Sequence, residues 1–233
     1  MNIVITGASK GIGKAIAHAF AATGANLYCC ARGAVNLYKM VEELQVYYPN
    51  ANINAMPADV SSANGAKEFA SWVIQKAGNV DVLVNNAGQF TPGTIQAEED
   101  GVLTDLLNAN LFSAYHVTRA LLPTMVEAQR GHIFNICSIA SVKAYSNGGS
   151  YSIAKHALKG FNDNLREEMK SQNIKVTGVY PGAVLTDSWA GFDNSSKRIM
   201  EASDIAKMIV AATTLSAQAV VEEIVLRPQL GDL

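Results

Sequence analysis

The feature that most constrains this chain is an alternation held from end to end. Short, continuous apolar runs take turns with longer stretches of helical periodicity. The apolar runs are Ile3–Thr6, Asn26–Ala31, Ile53–Pro57, Val82–Asn85, His132–Cys137, Val176–Tyr180 and Glu223–Leu226. Most are rich in β-branched residues and do not alternate with polar ones, as expected of strands covered on both faces. Between them lie Gly13–Thr23, Ala34–Tyr47, Ala63–Ala77, Glu99–Gln129, Tyr151–Ser171 and Ser203–Leu215, which carry helical spacing. Such an order predicts repeated βαβ units: an α/β fold with a doubly wound, mostly parallel sheet and helices on both faces, a three-layer α/β/α sandwich. Right-handed crossovers then bring the C-terminal ends of the strands to one edge, where ligands bind.

No Pro/Ser-rich linker, composition shift or internal repeat divides the chain, so residues 1–233 read as a single domain. Hydrophobic residues make up 49% and charged residues 16%, enough for a large core and against disorder. Ser61-Ser62 and Ser203 are placed as N-caps, and Gly78 as a helix stop. The segment from Thr186 to Ile199 has weak periodicity and a polar centre, Asp193-Asn194-Ser195-Ser196-Lys197-Arg198. It is the candidate substrate flap, around 186–199.

Several classes are excluded. The formal charge is −2 and no Lys/Arg run occurs, which speaks against nucleic acid or an anionic membrane as partner. No apolar stretch reaches the roughly 20 residues of a membrane span. The N-terminus, Asn2-Ile3-Val4-Ile5-Thr6, lacks the basic region and small-residue cleavage site of a signal peptide, so a cytoplasmic setting is expected. Cys29, Cys30 and Cys137 all fall in apolar runs and read as small buried hydrophobes; none has metal-ligand spacing, and no metal is expected.

The first apolar run leads directly into Thr6-Gly7-Ala8-Ser9-Lys10-Gly11-Ile12-Gly13. Glycines between a strand and a helix permit positive φ and let the backbone approach a pyrophosphate. The helix N-terminus adds free N–H groups and a favourable dipole. The spacing is G-x-x-x-G-x-G and not the more familiar G-x-G-x-x-G. The second run ends Cys30-Ala31-Arg32. An acid there would accept from a ribose hydroxyl and repel a 2′-phosphate; Arg32 instead offers a planar fork for that phosphate, and Lys10 a second positive charge. The pattern favours NADP over NAD, unless both side chains are merely solvated. Asp59-Val60 stands where it would frame an adenine, or is an ordinary turn at a strand end. Asn85-Asn86-Ala87-Gly88 ends the fourth run at the same edge, with amides suited to pairing neighbouring backbone as well as to ligand contact.

Downstream lies Ser138, then Tyr151-Ser152-Ile153-Ala154-Lys155. Tyr151 and Lys155 are spaced to share one helix face. A free tyrosine has a pKa of about 10 and supplies little base at neutral pH. A neighbouring ammonium and an oxidised nicotinamide both favour its phenolate, which makes Tyr151 a general acid for reduction and a base for oxidation. Lys155 is also placed to hold the nicotinamide ribose. Ser138 is placed to steady a substrate oxygen, and Asn110 to order a water behind Lys155. His18, His116, His132 and His156 show no partner carboxylate at a matching site, and Gly-x-Ser-x-Gly is absent, so a Ser-His-Asp hydrolase does not fit.

Taken together, these motifs resemble the short-chain dehydrogenase/reductase family over nearly the whole chain, with Pro181-Gly182-x-x-x-Thr186 as a further match. The resemblance implies a Rossmann-type fold and a catalytic tetrad of Asn110, Ser138, Tyr151 and Lys155. It implies that Pro181, Gly182, Val184 and Thr186 look onto the nicotinamide, and that Arg32 and Lys10 mark an NADP-preferring member. Cofactor contacts would run through Gly7, Ser9, Lys10, Gly11, Ile12, Gly13, Arg32, Asp59, Val60, Asn86, Ala87, Gly88, Tyr151 and Lys155. Family members commonly form homodimers or homotetramers through helices corresponding to Glu99–Gln129 and Tyr151–Ser171. Leu103, Leu106, Leu107, Leu111, Phe112 and Tyr115 would then supply apolar surface, or pack internally.

The tail, Val221 to Leu233, lacks the strand followed by Gly-Gly that ends many ketoacyl reductases and sugar dehydrogenases of the family. It looks closer to the branch holding serine/3-hydroxy acid dehydrogenases and sepiapterin-reductase-like proteins. The reading is an NADP(H)-dependent oxidoreductase interconverting a small-molecule carbonyl and a secondary alcohol. Its rivals are a nucleotide-sensing, non-catalytic NADP-binding protein and a reductase-fold dehydratase or epimerase. Pocket residues would come from Gln89–Gly93, Ile139–Ser150 (with Lys143 and Tyr145) and Val184–Ile199, segments without a charge cluster that dictates a ligand.

Overall fold

A computed structural model describes residues 1–189 and 191–232. The strands are β1 (Asn2–Thr6), β2 (Asn26–Ala31), β3 (Ile53–Pro57), β4 (Val82–Asn85), β5 (Gly131–Ile136), β6 (Ile174–Pro181) and β7 (Glu223–Leu226). They form one sheet in the order β3-β2-β1-β4-β5-β6-β7, every neighbouring pair parallel. The order reverses between β1 and β4, which opens a crevice at their C-terminal ends.

The helices are α1 (Gly11–Ala21), α2 (Ala34–Tyr47), α3 (Ala63–Ala77), α4 (Val102–Leu107), α5 (Ser113–Ala128), α6 (Gly149–Met169) and α7 (Ala202–Thr213). Successive residues of a strand point to opposite faces. Ile3 and Ile5 accordingly pack with Phe20, Leu37, Ile205 and Ile209, drawn from α1, α2 and α7. Val4 packs with Phe69, Val117, Leu121 and Leu165, from α3, α5 and α6. Cys29 and Cys30 divide between the same two cores. All the cysteines are buried and free, and no metal-binding cluster occurs among the described residues. No helix among them is long and apolar enough to cross a membrane.

Two boundaries follow the sequence reading. Ser62 caps α3 by accepting from the Gly65 N–H at 3.1 Å, and Gly78 ends that helix at φ +72. Ser203 does not cap α7. The cap is Glu201, in a reciprocal box with Asp204, so the acid at the third helical position sets the start and Ser203 lies inside the helix. The long stretch expected over Glu99–Gln129 is interrupted: Asn108–Phe112 forms a π-helical turn between α4 and α5.

Candidate active site

The glycine turn sits at the C-terminal end of β1, in the crevice where strand order reverses. Gly7 and Gly11 have φ +65 and +56, a region side chains disfavour. A Cβ on Gly13 would stand 2.3 Å from the Gly7 carbonyl oxygen, so α1 can begin this close to the turn only without one. The turn is fastened to the exit of β4. Asn86 Nδ2 donates to the carbonyls of Thr6 (3.0 Å) and Gly7 (2.9 Å), while Thr6 Oγ1 accepts from the N–H groups of Asn86 and Ala87. Asn85 points into the core, donating to Thr118 Oγ1 and Asn135 Oδ1. These amides brace the loop.

The first turn of α1 has no side-chain cap; Lys10 stands at that position and makes no capping bond. Its leading N–H groups and the positive end of its dipole therefore face the crevice, as a pyrophosphate requires. Arg32 is exposed at the end of β2. Asp59 accepts from Ser61 Oγ at 2.6 Å and from its N–H at 3.1 Å; those bonds, and the Arg32 guanidinium, hold its carboxyl below the usual range. Val60 is built into the core. Pro181 is buried at the end of β6, the Gly182 N–H donates to the Leu226 carbonyl, and Val184 bridges to Met200. Thr186 overlies the turn: a Cβ on Gly11 would meet its Cγ2 at 3.2 Å. Beside it Lys10 forms an ion pair with Asp187.

The chemical end lies along the same edge. The π-helical turn carries Asn110, which is buried. Its Nδ2 donates to the carbonyls of Gln89 (2.9 Å) and Leu106 (3.0 Å), and its Oδ1 accepts from the Gln89 N–H at 3.3 Å. A Cβ on Gly88 would lie 2.7 Å from Asn110 Oδ1 and 3.7 Å from Lys155 Nζ, so Gly88 lets the two approach. Lys155 Nζ donates to the Ile136 carbonyl at 2.9 Å and stands 5.8 Å from the centre of the Tyr151 ring. Ser138 follows β5 and caps a short 3-10 turn, accepting from the Ala140 N–H while its own N–H is held by Ser141 Oγ. The structure thus brings Asn110, Ser138, Tyr151 and Lys155 together.

Burial adds to their electrostatics a contribution that the sequence reading left out. Burial pushes the Tyr151 phenol up to about 12, opposed by its hydrogen bond with Ser138. Burial draws Lys155 down to about 8, with the Cys137 thiol acting the other way. Desolvation outweighs the Ser138 hydrogen bond, so Tyr151 is held as the acid. A difference from the sequence expectation concerns His18, whose Nε2 lies 3.1 Å from Glu43 Oε1. Lys14 shares that carboxylate on α2, so the contact is a bridge between helices α1 and α2.

Two residues take roles that the sequence reading did not single out. Phe90 presents its ring edge-on to Tyr151, centroids 4.9 Å apart. Glu98 bonds Ser150 through both carboxylate oxygens. Phe90 lies in the Gln89–Gly93 segment without a motif of its own, and the partner of Glu98 is remote in sequence.

A glycine-floored crevice beside a Ser/Tyr/Lys cluster defines a dinucleotide-dependent enzyme of the α/β class. The family model for short chain dehydrogenases matches residues 1–197, and the chain belongs to that family. It is 34% identical to a sepiapterin reductase of Chlorobaculum tepidum, over 99% of this chain and 97% of the relative. Among solved structures, a metagenomic short-chain oxidoreductase in complex with NADP superposes with TM-score 0.86 at 30% identity, covering 98% of this chain and 97% of the other. An alcohol dehydrogenase from the archaeon Thermococcus sibiricus complexed with 5-hydroxy-NADP reaches 0.90 at 27% identity, covering 98% and 96%.

Proposed function

We propose that this oxidoreductase interconverts a carbonyl and a secondary alcohol with NADP(H). The observation that carries the reading is the convergence of Ser138, Tyr151, Lys155 and Asn110 at the strand edge occupied by the glycine turn. NADPH, once bound, would supply the hydride. The chain's residues do the rest. The α1 N-terminus and Gly7, Gly11 and Gly13 hold the pyrophosphate, and Arg32 holds the 2′-phosphate. Pro181, Gly182, Val184 and Thr186 line the nicotinamide end. Ser138 Oγ hydrogen-bonds the substrate oxygen, and Tyr151 gives it the proton that completes the alcohol; oxidation reverses this transfer. Lys155 binds ribose hydroxyls and places its charge beside the phenol.

The wall next to Tyr151 is aromatic. Phe90 and Tyr145 are both exposed, Phe90 edge-on to the phenol ring and Tyr145 close enough to act on its ionisation. A neutral carbonyl carried on a flat or apolar body suits such a wall. Similarity to a sepiapterin reductase adds a pteridine ketone to that class. Copies of the chain pair through the face bearing Leu103, Phe112 and Ile153, all partly exposed on α4, the π turn and α6, to give a dimer or tetramer. One domain with a flap around 186–199 and a reducing, cytoplasmic setting complete the reading.

The test is a panel of aryl ketones, aldehydes, 3-oxo acids and pteridine ketones with NADPH and with NADH. NADPH-dependent reduction of neutral carbonyls is the expected result. Tight NADPH binding with no turnover across the panel would favour the sensing role, and product formed without net NADPH consumption the dehydratase or epimerase.

A further inference from the structure

Helix α6 carries Tyr151 and Lys155, yet its own sequence provides no cap. It starts Gly148-Gly149-Ser150-Tyr151, with Gly148 at the cap position and no side-chain bond from it. The missing cap comes from Glu98, distant in sequence. Glu98 Oε1 accepts from the Ser150 N–H at 2.9 Å, and Oε2 accepts from the Ser150 hydroxyl. A carboxylate there satisfies an orphan N–H of the first turn and sits at the positive end of the helix dipole.

The surrounding sequence is fitted to this contact. Gly149 has φ +37, and a Cβ on it would lie 2.2 Å from Glu98 Oε1 and 2.6 Å from the Gly93 carbonyl. A Cβ on Gly93 would lie 2.9 Å from Glu98 Cγ. The Gly93 N–H donates to the Asn147 carbonyl at 3.1 Å, a second tie between the same segments. Upstream, the strap beginning at Gln89 is held by Asn110 through both its N–H and its carbonyl, and Phe90 lies against Tyr151. Residues 89–98 therefore run from Asn110, past the phenol, to the start of the phenol's helix.

We propose that Glu98 is a positioning residue for Tyr151: through Ser150 it fixes the first turn of α6, and so the direction of the phenol toward the substrate oxygen. Glu98 touches no reacting atom. The proposal rests on the reading of Tyr151 as the proton donor. Since an ångström of misplacement in a reacting group costs about a hundredfold, loosening this turn acts on turnover more than on binding.

The experiment compares the Glu98→Ala, Glu98→Gln and Tyr151→Phe variants with wild type, using NADPH and acetylbenzoyl, a neutral aryl diketone, as the probe. Glu98→Ala is expected to lower kcat about tenfold to a hundredfold, leaving the NADPH Kd close to wild type and lowering the melting temperature by only the roughly 2–4 °C that a lost helix cap costs. Glu98→Gln keeps an acceptor for the Ser150 N–H and is expected to recover most of the turnover. Hydrogen exchange of the peptide spanning residues 148–156, which needs no substrate, is expected to quicken in Glu98→Ala and not in Glu98→Gln. Wild-type turnover and exchange in Glu98→Ala would overturn the proposal. So would a loss of NADPH binding and melting temperature in step with kcat, which marks a general structural role. Full turnover by Tyr151→Phe would overturn the proton-donor reading instead, so the two failures are told apart.

Discussion

Lys10, in the glycine turn, reaches 2.5 Å to Asp187, the first residue past Thr186 on the flap. This is the lysine the sequence marks for a 2′-phosphate, and here it ties the flap to the cofactor turn. Both side chains are mostly exposed, so the pair is weak, on the order of 1 kcal/mol or less. An incoming phosphate dianion competes with one carboxylate for that ammonium, while Arg32 forms no salt bridge among the described residues and acts on Asp59 only through its charge. Arg32→Asp is therefore expected to raise the Kd for NADPH by one to two orders of magnitude, roughly 1.4 kcal/mol each, and to spare NADH. Asp187→Asn, which frees Lys10, is expected to tighten NADPH by no more than about threefold. Titration with both nucleotides checks this, and equal NADPH affinity in wild type and Arg32→Asp would remove Arg32 from the selectivity.

Removing the phenolic oxygen tests the chemistry alone. Tyr151→Phe keeps the ring that packs on Phe90 and the helix that carries Lys155. It is expected to lower kcat by about 10² to 10⁴, with NADPH binding unchanged by fluorescence titration.

The edge-to-face contact between Phe90 and Tyr151 supplies an apolar wall and restrains the ring. Such a pair contributes about 0.5–1.5 kcal/mol beyond its area. Phe90→Ala is expected to raise KM for aryl ketones severalfold more than for short aliphatic ones, read as the ratio of kcat/KM across the panel. A uniform loss would assign the ring to support of Tyr151 alone.

Burial places the Lys155 ammonium at about 8, well below an ordinary lysine, so its charge titrates within the working range of the free protein. The sign follows directly. Below about 8 the side chain is charged and holds ribose and phenol; above it the amine is neutral. Because kcat/KM reports the free enzyme, reduction is expected to fall as pH rises through about 8, and kcat measured at saturation less so. Profiles from pH 6 to 10 separate the two. The same lowered value means the unfolded chain binds more protons between pH 8 and 10.5, so Lys155's cost to stability shrinks across that window.

The sheet was legible because strands buried on both faces need continuous apolar runs, and the boundaries of β1, β2, β3, β4 and β7 follow those runs closely. The glycine turn and the Tyr151/Lys155 pair were legible because each is local: a strand exit, or one turn of helix. What sequence did not reveal is made of long-range partners. Nothing near Glu98 announces Ser150, and although the Asn86 amide is legible as one suited to pairing neighbouring backbone, its partners Thr6 and Gly7 are not. The desolvation of the phenol is likewise a long-range property. Charge spacing is readable along a helix, whereas desolvation depends on the Phe90 strap and the β5 exit closing over the site.

His132 offers a test of the fold remote from the chemistry. It lies buried in β5, stacked on Phe134, with Nε2 2.7 Å from Thr177 Oγ1. The Thr177 hydroxyl already donates to the Val221 carbonyl, so its oxygen accepts and the His132 proton sits on Nε2. Burial first, and then the charge of Lys175, draws the imidazole from 6.5 down to about 3. The folded state therefore keeps the ring neutral where the unfolded chain protonates it. Above about pH 6.5 the group is silent; as pH falls from there toward 3 it withdraws stability, by up to about 1.4 kcal/mol per pH unit. His132→Gln keeps an N–H donor for Thr177 and cannot take up a proton. Thermal melts at pH 7 and at pH 4.5 are expected to show a smaller drop for His132→Gln than for wild type, with the two proteins closest at pH 7. Equal drops would mean that His132 is already protonated, or free to reach water, in the folded chain.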